Sequence, residues 1–516
     1  MRLKGVIRDC MFDEDSLSGP FLDTEISGIA YDSRKVVNNG LFVALKGENY
    51  DGNDFIMDAI DKGARVVVFE GNSMNSVRDL IIARDVLLIK VKDPRMALAC
   101  LSNNFYGRPS EILNVVGVTG TNGKTTTTHL IRTILETWGE ATGLIGTISY
   151  SFKGHDYPAL HTTPEAVEFQ SLLKDMLDSG CSYVVTEVSS HSLKQRRVDY
   201  TRFSTAVFTN LTRDHLDFHR TMEDYYLSKR RLFTDLLIDY GTAVINIDDE
   251  WGKRLFSELS SLRPDLRIIT YGIKADATVN PVMIDGLNAD GLRLKIGLKT
   301  IPNYPFTSSP LQPLHIDSPL IGIPNIYNVL SAVSVAVGLK IPEEIIIKGL
   351  RKDTVVRGRF EKVEAGQDFL CIIDYAHTPD ALERLILTAR EIISKGRVIT
   401  VFGCGGNRDK GKRPLMGRIA TELSDYVIIT SDNPRNEDPA DIISDIISGV
   451  IKNNYEIVPE RADAIERAVL MAESGDILLI AGKGHEDYQE IKGKRERFSD
   501  RDVCINAISG VKGVRV

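Results

Sequence analysis

Residues Gly120 to Thr126 read GTNGKTT and directly follow the apolar run Asn114 to Thr119. A glycine-rich turn between a buried strand and a helix points successive backbone N–H groups inward. The helix N-terminus adds the positive end of its dipole. Such a turn accommodates a polyphosphate, with Lys124 placed to neutralise the outer phosphates and the Thr125 hydroxyl to hold Mg²⁺. Gly120, Thr121, Asn122, Gly123, Lys124, Thr125 and Thr126 are therefore candidate nucleotide-binding residues. The full phosphate-loop pattern has a glycine where this chain has Val118, so the motif is a shortened form. An ordinary glycine turn with a solvated lysine is the competing explanation. The strand before, the helix after and the run Lys124 to Thr127 weigh against it.

A metal site is expected beside this turn. Glu187 closes the strand-like run Ser182 to Val188, and His215 follows the run Ser204 to Thr209. Mg²⁺ prefers oxygen ligands and needs only one or two protein carboxylates, whereas a histidine ligand would also admit Mn²⁺. Taken alone, His215 reads equally well as a helix cap or loop hydrogen-bonding residue. Hydroxyl and basic groups recur nearby, in His161-Thr162-Thr163-Pro164, in Ser189-Ser190-His191, and at Gln195 and Arg197. They could hold an anionic substrate facing the terminal phosphate; singly, each also reads as a cap or a solvated arginine.

A second chemical region lies towards the C-terminus. Four polar motifs each follow a strand-like run: Asp374-Tyr375-Ala376-His377, Gly403 to Gly406, Asp432-Asn433-Pro434-Arg435 and Gly482-Lys483-Gly484-His485-Glu486. In doubly wound sheets ligands sit beyond the C-terminal strand ends, so these motifs are expected to share one binding edge. Arg408 and Arg435 can hold carboxylates bidentately, and Asp432 or Glu486 can hold an ammonium. Such a set suits a zwitterionic amino acid, and a second carboxylate on it would explain the second arginine. The segment Arg408 to Arg413 packs four cations into six residues and also reads as a solvated charge run.

These motifs must be positioned by several α/β units. The 516 residues suffice for about three domains. Boundaries are expected at 1–108, 109–339 and 340–516, with a central phosphate-loop parallel sheet flanked by helices and a C-terminal dinucleotide-fold-like domain. The stretch from about Ile268 to Ser318 is richer in β patterns. Hydrophobic residues at 43% and charged residues at 26% describe an ordinary soluble protein, and the net charge of −8 argues against a nucleic-acid surface. No apolar run is long enough to cross a bilayer and no signal peptide is evident, so a cytoplasmic protein is expected. The six cysteines contain no CxxC pair and are expected to be buried free thiols.

Together the motifs resemble the Mur ligases along the whole chain. The resemblance rests on Asp32-Ser33-Arg34, Gly120 to Thr126, Thr162-Thr163-Pro164, Glu187 to His191, Asp214 to Asp217, Asp374 to Pro379, Gly403 to Pro414, Asp432 to Arg435 and Gly482 to Asp487. It implies a three-domain ligase. It also implies ATP-driven amide formation through an acyl phosphate on UDP-N-acetylmuramoyl-L-alanyl-D-glutamate, with Mg²⁺ as cofactor, in peptidoglycan synthesis. In that family an Asp-Asn-Pro-Arg turn marks enzymes that add meso-diaminopimelate, so Arg408, Asp432, Asn433, Pro434, Arg435, Gly482 and Glu486 are the implied amino-acid site. Lys229 matches a family lysine that is carbamylated and helps hold Mg²⁺; by pattern alone it is a helix-surface lysine. Lys124, Lys229 and His215 are the implied catalytic residues. Tyr31, Ser33, the segment 48–50, His161, Thr162, Thr163, Ser189, Gln195 and Arg197 match the UDP-substrate side, and Asn328, Arg359 and His377 the nucleotide. The partners implied are small molecules only, acting on a monomer. Two alternatives stay open: the same ligase adding L-lysine or another diamino acid, and a non-catalytic nucleotide-binding module.

Overall fold

The computed structural model describes residues 1–12, 20–47, 50–71, 85–288, 291–299, 313–352, 356–393 and 395–514. Three sheets dominate. The N-terminal one has four strands, Ile29–Ala30, Gly40–Val43, Ala64–Phe69 and Leu87–Lys90, all parallel. Its apolar strand residues pack against the helix Pro94–Phe105, and Asp93 caps that helix through the Met96 N–H.

The central sheet has eleven strands. Its middle is parallel, in the order Arg267–Tyr271, Leu237–Asn246, Phe203–Phe208, Asn114–Thr119, Tyr183–Glu187 and Thr142–Ile145. These strands are apolar almost throughout because helices cover both faces. The expected parallel sheet is this middle part, and the margins add antiparallel pairing. Val279–Asn288 joins one side parallel to Arg267–Tyr271 and then pairs antiparallel with Gly291–Leu298, which pairs antiparallel with Leu314–Ser318; Ser149–Phe152 and His155–Pro158 add antiparallel pairs on the other side. On the first margin the inward residues Leu292, Leu294, Ile296, Leu314 and Ile316 alternate with polar ones, the pattern of strands with one wet face. On one face the helix Lys124–Trp138 buries Leu130, Ile131, Ile134 and Leu135 against the helices Ile323–Gly338 and Glu343–Leu350.

The third sheet has six strands. Leu370–Asp374, Ile477–Ala481, Val398–Phe402, Tyr426–Ile429 and Tyr455–Ile457 run parallel, and Glu361–Val363 pairs antiparallel on the margin. Separate apolar cores lie on its two faces. Because the four motif-bearing strands are parallel neighbours, their C-terminal ends fall on one edge, as the sequence predicts.

The cysteine expectation is corrected in part. Cys10 and Cys100 form a disulfide across 90 residues, because the helix carrying Cys100 packs beside the end of the first helix, Leu3–Val6. Cys181, Cys371, Cys404 and Cys504 are buried free thiols, as expected.

Candidate active site

The phosphate loop leaves the middle of the central sheet. Gly120 (φ +150°) and Gly123 (φ +85°) adopt backbone angles that favour glycine. Space makes the same demand. A Cβ on Gly120 would lie 1.8 Å from Thr209 Oγ1, and one on Gly123 2.6 Å from Asn328 Oδ1. The loop is braced by the segment after the next strand. The Asn122 N–H donates to Asn210 Oδ1 (2.9 Å), and Thr209 Oγ1 donates to Asn122 O (2.6 Å). Thr121 Oγ1 accepts from the Thr212 N–H (3.0 Å) and lies 3.2 Å from the Tyr225 hydroxyl.

Two lysines meet beneath this loop. Lys124 Nζ donates to Gly120 O (3.1 Å) and Thr121 O (3.0 Å), and Lys229 Nζ donates to the same Gly120 O (2.8 Å). Lys229 is 1% exposed, which corrects the helix-surface reading: its helix, Met222–Arg231, packs the lysine under the strand end. Burial and the neighbouring Lys124 push its pKa well below the ordinary lysine value, against the pull of Asp214. Burial lowers Lys124 as well, opposed mainly by Glu187.

Glu187 is fully buried. It accepts from Thr125 Oγ1 (3.1 Å), the Thr147 N–H (2.8 Å) and Thr147 Oγ1 (3.1 Å). The strand register explains the pairing: Glu187 ends the strand beside the phosphate-loop strand, level with Val118. His215 holds a left-handed conformation (φ +53°) before the short helix Leu216–His219, and its ring lies 4.8 Å from that of His191. Burial lowers its pKa, Asp214 opposes the shift, and the charges of Lys124 and Lys229 deepen it. Among the described residues no three His, Cys, Asp or Glu side chains gather as a metal site of their own. A Glu187 carboxylate beside the Thr125 hydroxyl nevertheless fits a hard cation that draws its other ligands from phosphate and water.

The anion-facing residues form a connected group. Thr163 Oγ1 donates to Glu187 O (2.8 Å) and accepts from the Ser189 N–H (3.1 Å). Thr162 Oγ1 is 3.1 Å from Thr147 Oγ1, and the Ser189 hydroxyl caps the helix Ser190–Lys194. Arg197 donates to Thr163 O (3.1 Å) and Gln195 Oε1 (2.6 Å) and pairs with Glu165 (2.8 Å). His161 meets the Tyr150 hydroxyl through its backbone. Tyr31 donates to Glu168 (3.0 Å), so the N-terminal sheet is tied to the helix Ala166–Asp178, while Ser33 is buried beside Asp58. Of the segment 48–50, residues 48 and 49 lie outside the described residues.

From the C-terminal side, Arg359 stacks 4.8 Å above the Tyr375 ring, and its charge reaches Lys124. Its Nε is buried and has no hydrogen-bond partner among the described residues. His377 Nδ1 lies 2.8 Å from Tyr375 O, and burial pulls its pKa to about 4, so the ring is neutral. Asn328 accepts from Thr127 Oγ1 (3.3 Å) against the phosphate loop. Asn328 thus touches the phosphate loop, and the charge of Arg359 reaches both Lys124 and His377.

At the strand-end edge, Asn433 ties the motifs together: its amide donates to Glu486 (2.8 Å), and its carbonyl accepts from Lys483 (3.0 Å) and the Glu490 N–H (2.9 Å). Lys483 is fully buried and lies 3.7 Å from Asp432 Oδ1, a buried oxygen with no hydrogen-bond partner among the described residues. Gly482 (φ +118°) lies against the Asp432 carboxylate, and the Pro434 carbonyl lies against Gly406. Arg435 (φ +52°) donates to Gly406 O (2.7 Å) and pairs with Glu490 (3.5 Å). The cationic run divides. Arg408 is exposed, Lys412 donates to His377 O (2.9 Å), and Arg413 is fully buried between Glu437 and Asp445. Sequence reasoning missed Lys483, Thr147 and Tyr225 as members of these networks. Lys483 sits inside a glycine-flanked motif that could have flagged it; the other two carry no linear signal.

Comparison with known proteins accords with this geometry. Three family models match the chain: the Mur ligase middle domain over 118–336, the Mur ligase glutamate ligase domain over 358–484, and the Mur ligase catalytic domain over 25–106. Two relatives named UDP-N-acetylmuramoyl-L-alanyl-D-glutamate--2,6-diaminopimelate ligase are each 43% identical. The Geobacter sulfurreducens protein covers 98% of this chain and 98% of its own length, and that of Clostridium tetani covers 98% and 99%. A solved structure of an enzyme of the same name superposes with a TM-score of 0.69 at 29% identity, covering 99% of both chains. The chain belongs to the Mur ligase family.

Proposed function

We propose that this chain is an ATP-dependent ligase that joins meso-2,6-diaminopimelate to the D-glutamate of UDP-N-acetylmuramoyl-L-alanyl-D-glutamate, in the building of peptidoglycan. One observation carries the substrate assignment. Arg435 and the exposed Arg408 border an edge that also carries the carboxylates of Asp432 and Glu486, with the buried Lys483 paired to both. That set offers carboxylate forks beside an ammonium site, and two carboxylates distinguish diaminopimelate from lysine. The three domains are 1–108 for the UDP-sugar, 109–339 for ATP and 340–516 for the amino acid. The enzyme acts as a cytoplasmic monomer on these small molecules.

In this reading the Gly120–Thr126 turn and Lys124 hold the triphosphate, and Asn328, Arg359 and His377 hold the rest of the nucleotide. The D-glutamate side-chain carboxylate attacks the terminal phosphorus, the bond to ADP breaks, and an acyl phosphate forms. The diaminopimelate amine then attacks that carbonyl and expels phosphate. Thr162, Thr163, Ser189, Gln195 and Arg197 orient the acceptor, with Tyr31, Ser33 and His161 on its UDP side. Mg²⁺ held by Thr125, Glu187 and His215 would spread the phosphate charge. Lys229 would join that set as a carbamate, formed when its neutral amine adds CO₂ and gives up a proton; burial and the neighbouring Lys124 lower its pKa and so favour that neutral amine.

The test is phosphate release from ATP with purified protein and the UDP-linked dipeptide, in parallel with meso-diaminopimelate or L-lysine, and mass spectrometry of the product. Turnover confined to diaminopimelate is expected. Equal turnover with lysine would remove the role assigned to Arg435.

A further inference from the structure

The helix Pro379–Ile392 begins directly after the His377 loop and presents one stripe, Asp380, Arg384 and Thr388, to the central part of the molecule. These positions lie four residues apart and so share a face. Asp380 and Thr388 make contacts across the junction, and Arg384 acts across it through its charge. Thr388 lies against Gly322, where a Cβ would come within 2.2 Å of its methyl. The charge of Arg384 reaches Asp249 and Tyr327.

Asp380 reaches furthest. Its Oδ2 accepts from Asn122 Nδ2 (3.1 Å) and from Thr212 Oγ1 (3.1 Å), while Oδ1 is held by Arg384 Nε (3.2 Å) on the next turn. One carboxylate oxygen therefore joins the phosphate loop to the segment leading to His215. Leu211 in that segment is fixed from the other side, its N–H donating to Asp249 Oδ2 (3.1 Å).

We propose that Asp380 is a positioning residue that latches the C-terminal domain onto the phosphate loop and the Thr209–His215 segment, setting the distance across which the amine attacks. The proposal rests on the ligase reading above. Phosphoryl transfer uses groups gathered mainly around the phosphate loop, whereas amide formation needs the strand-end edge brought to the acyl phosphate. A latch on the junction therefore acts chiefly on the second step. Domain closure that completes a site in this way governs turnover in many enzymes.

The experiment compares Asp380→Ala, Thr212→Val, the double variant and Asp380→Asn in the full-length protein. Full turnover with diaminopimelate is read beside ATP–ADP isotope exchange with the UDP-linked dipeptide alone, which reports acyl phosphate formation. Asp380→Ala should lower kcat with diaminopimelate by about tenfold, the scale of a hydrogen bond to a charged group. It should also raise the KM for diaminopimelate while leaving exchange within about twofold. Thr212→Val should fall in the same direction, and the double variant should be no worse than Asp380→Ala, since both remove one interaction. Asp380→Asn keeps an acceptor oxygen and should restore most of the rate. Parental turnover in Asp380→Ala, an equal fall in exchange and turnover, or multiplicative effects in the double variant would overturn the latch. Small-angle scattering of the same variants with ATP reads it without activity: a larger radius of gyration is expected for Asp380→Ala, and an unchanged radius overturns the proposal. Absence of turnover in the parent protein would instead count against the ligase reading.

Discussion

Gly120 and Gly123 shape the phosphate loop through backbone angles and through the space a side chain would occupy, whereas the edge around Asp432–Arg435 is shaped by side chains that pair with one another. In the loop Lys124 and Lys229 both rest on carbonyl oxygens, and in the proposed nucleotide site an arriving phosphate replaces those weak neutral acceptors at Lys124. At the edge Asn433 is engaged by Glu486 and Lys483, and Arg435 by Gly406 and Glu490, so under the proposed function an arriving amino acid must exchange places with protein partners. A preformed cradle spends little on reorganisation. A pre-paired edge rejects ligands that fail to repair the pairs they break, because an unpaired buried charge is costly. The generic half of the reaction is thus built from backbone and the selective half from side chains.

The largest effect should come from removing charge at the cradle. Lys124→Ala is expected to lower kcat by about 10²–10³, the usual cost of losing one preorganised electrostatic stabiliser. Phosphate release under saturating substrates measures it. A loss confined to the KM for ATP would mean that Lys124 binds the ground state and the transition state equally. Gly123→Ala tests the shape of the cradle. A Cβ there faces Asn328 Oδ1 at 2.6 Å on a φ of +85°, and left-handed backbone costs a non-glycine residue about 1–2 kcal/mol. The KM for ATP should rise by roughly tenfold with the KM for diaminopimelate unchanged. Equal rises in both would show that loop and edge are not separable.

The selective half is probed by Arg435→Lys. The lysine keeps the charge and loses the fork, so the KM for diaminopimelate should rise by about 10-fold or more while ATP–ADP exchange stays at the parental rate. Relaxed discrimination against L-lysine should accompany it. Unchanged discrimination would place selectivity elsewhere on the edge.

The same contrast explains what could be read from the chain before its fold. Backbone-built features announce themselves in sequence. The run Asn114 to Thr119, the glycines after it and the amphipathic helix beginning at Lys124 sit where local pattern puts them, and the apolar strands before each polar motif of the third sheet do too. Features built by distant packing do not. Lys229 lies in a strongly polar helix and becomes buried only because that helix passes under Gly120. Arg413 sits in a run that resembles a solvated patch, yet it is enclosed by Glu437 and Asp445. Cys10 and Cys100 are joined across 90 residues, and Asp380 finds Asn122 and Thr212 at separations of 258 and 168. No periodicity spans such distances. One margin of the central sheet is visible as the β-rich stretch from about Ile268 to Ser318, whereas the pair Ser149–Phe152 and His155–Pro158 is not, and in both the pairing direction depends on turns that local composition does not fix.

The smallest effect should come from Arg408, and it sharpens the comparison within the edge itself. Arg408 and Arg435 belong to the same proposed amino-acid site, yet Arg435 is held by Gly406 and Glu490 while Arg408 is exposed. An exposed arginine keeps its rotamer freedom until ligand arrives, and the ordering cost offsets part of the ion pair it forms. Arg408→Ala should therefore raise the KM for diaminopimelate only about 3- to 5-fold, near 1 kcal/mol, and the penalty should shrink as salt is raised because exposed charges are screened. Steady-state kinetics at low and high ionic strength measure both. If Arg408→Ala instead costs more than Arg435→Lys and resists salt, the arginine closes over the amino acid on binding. The edge would then owe its selectivity to a group that orders around the ligand rather than to pairs already made.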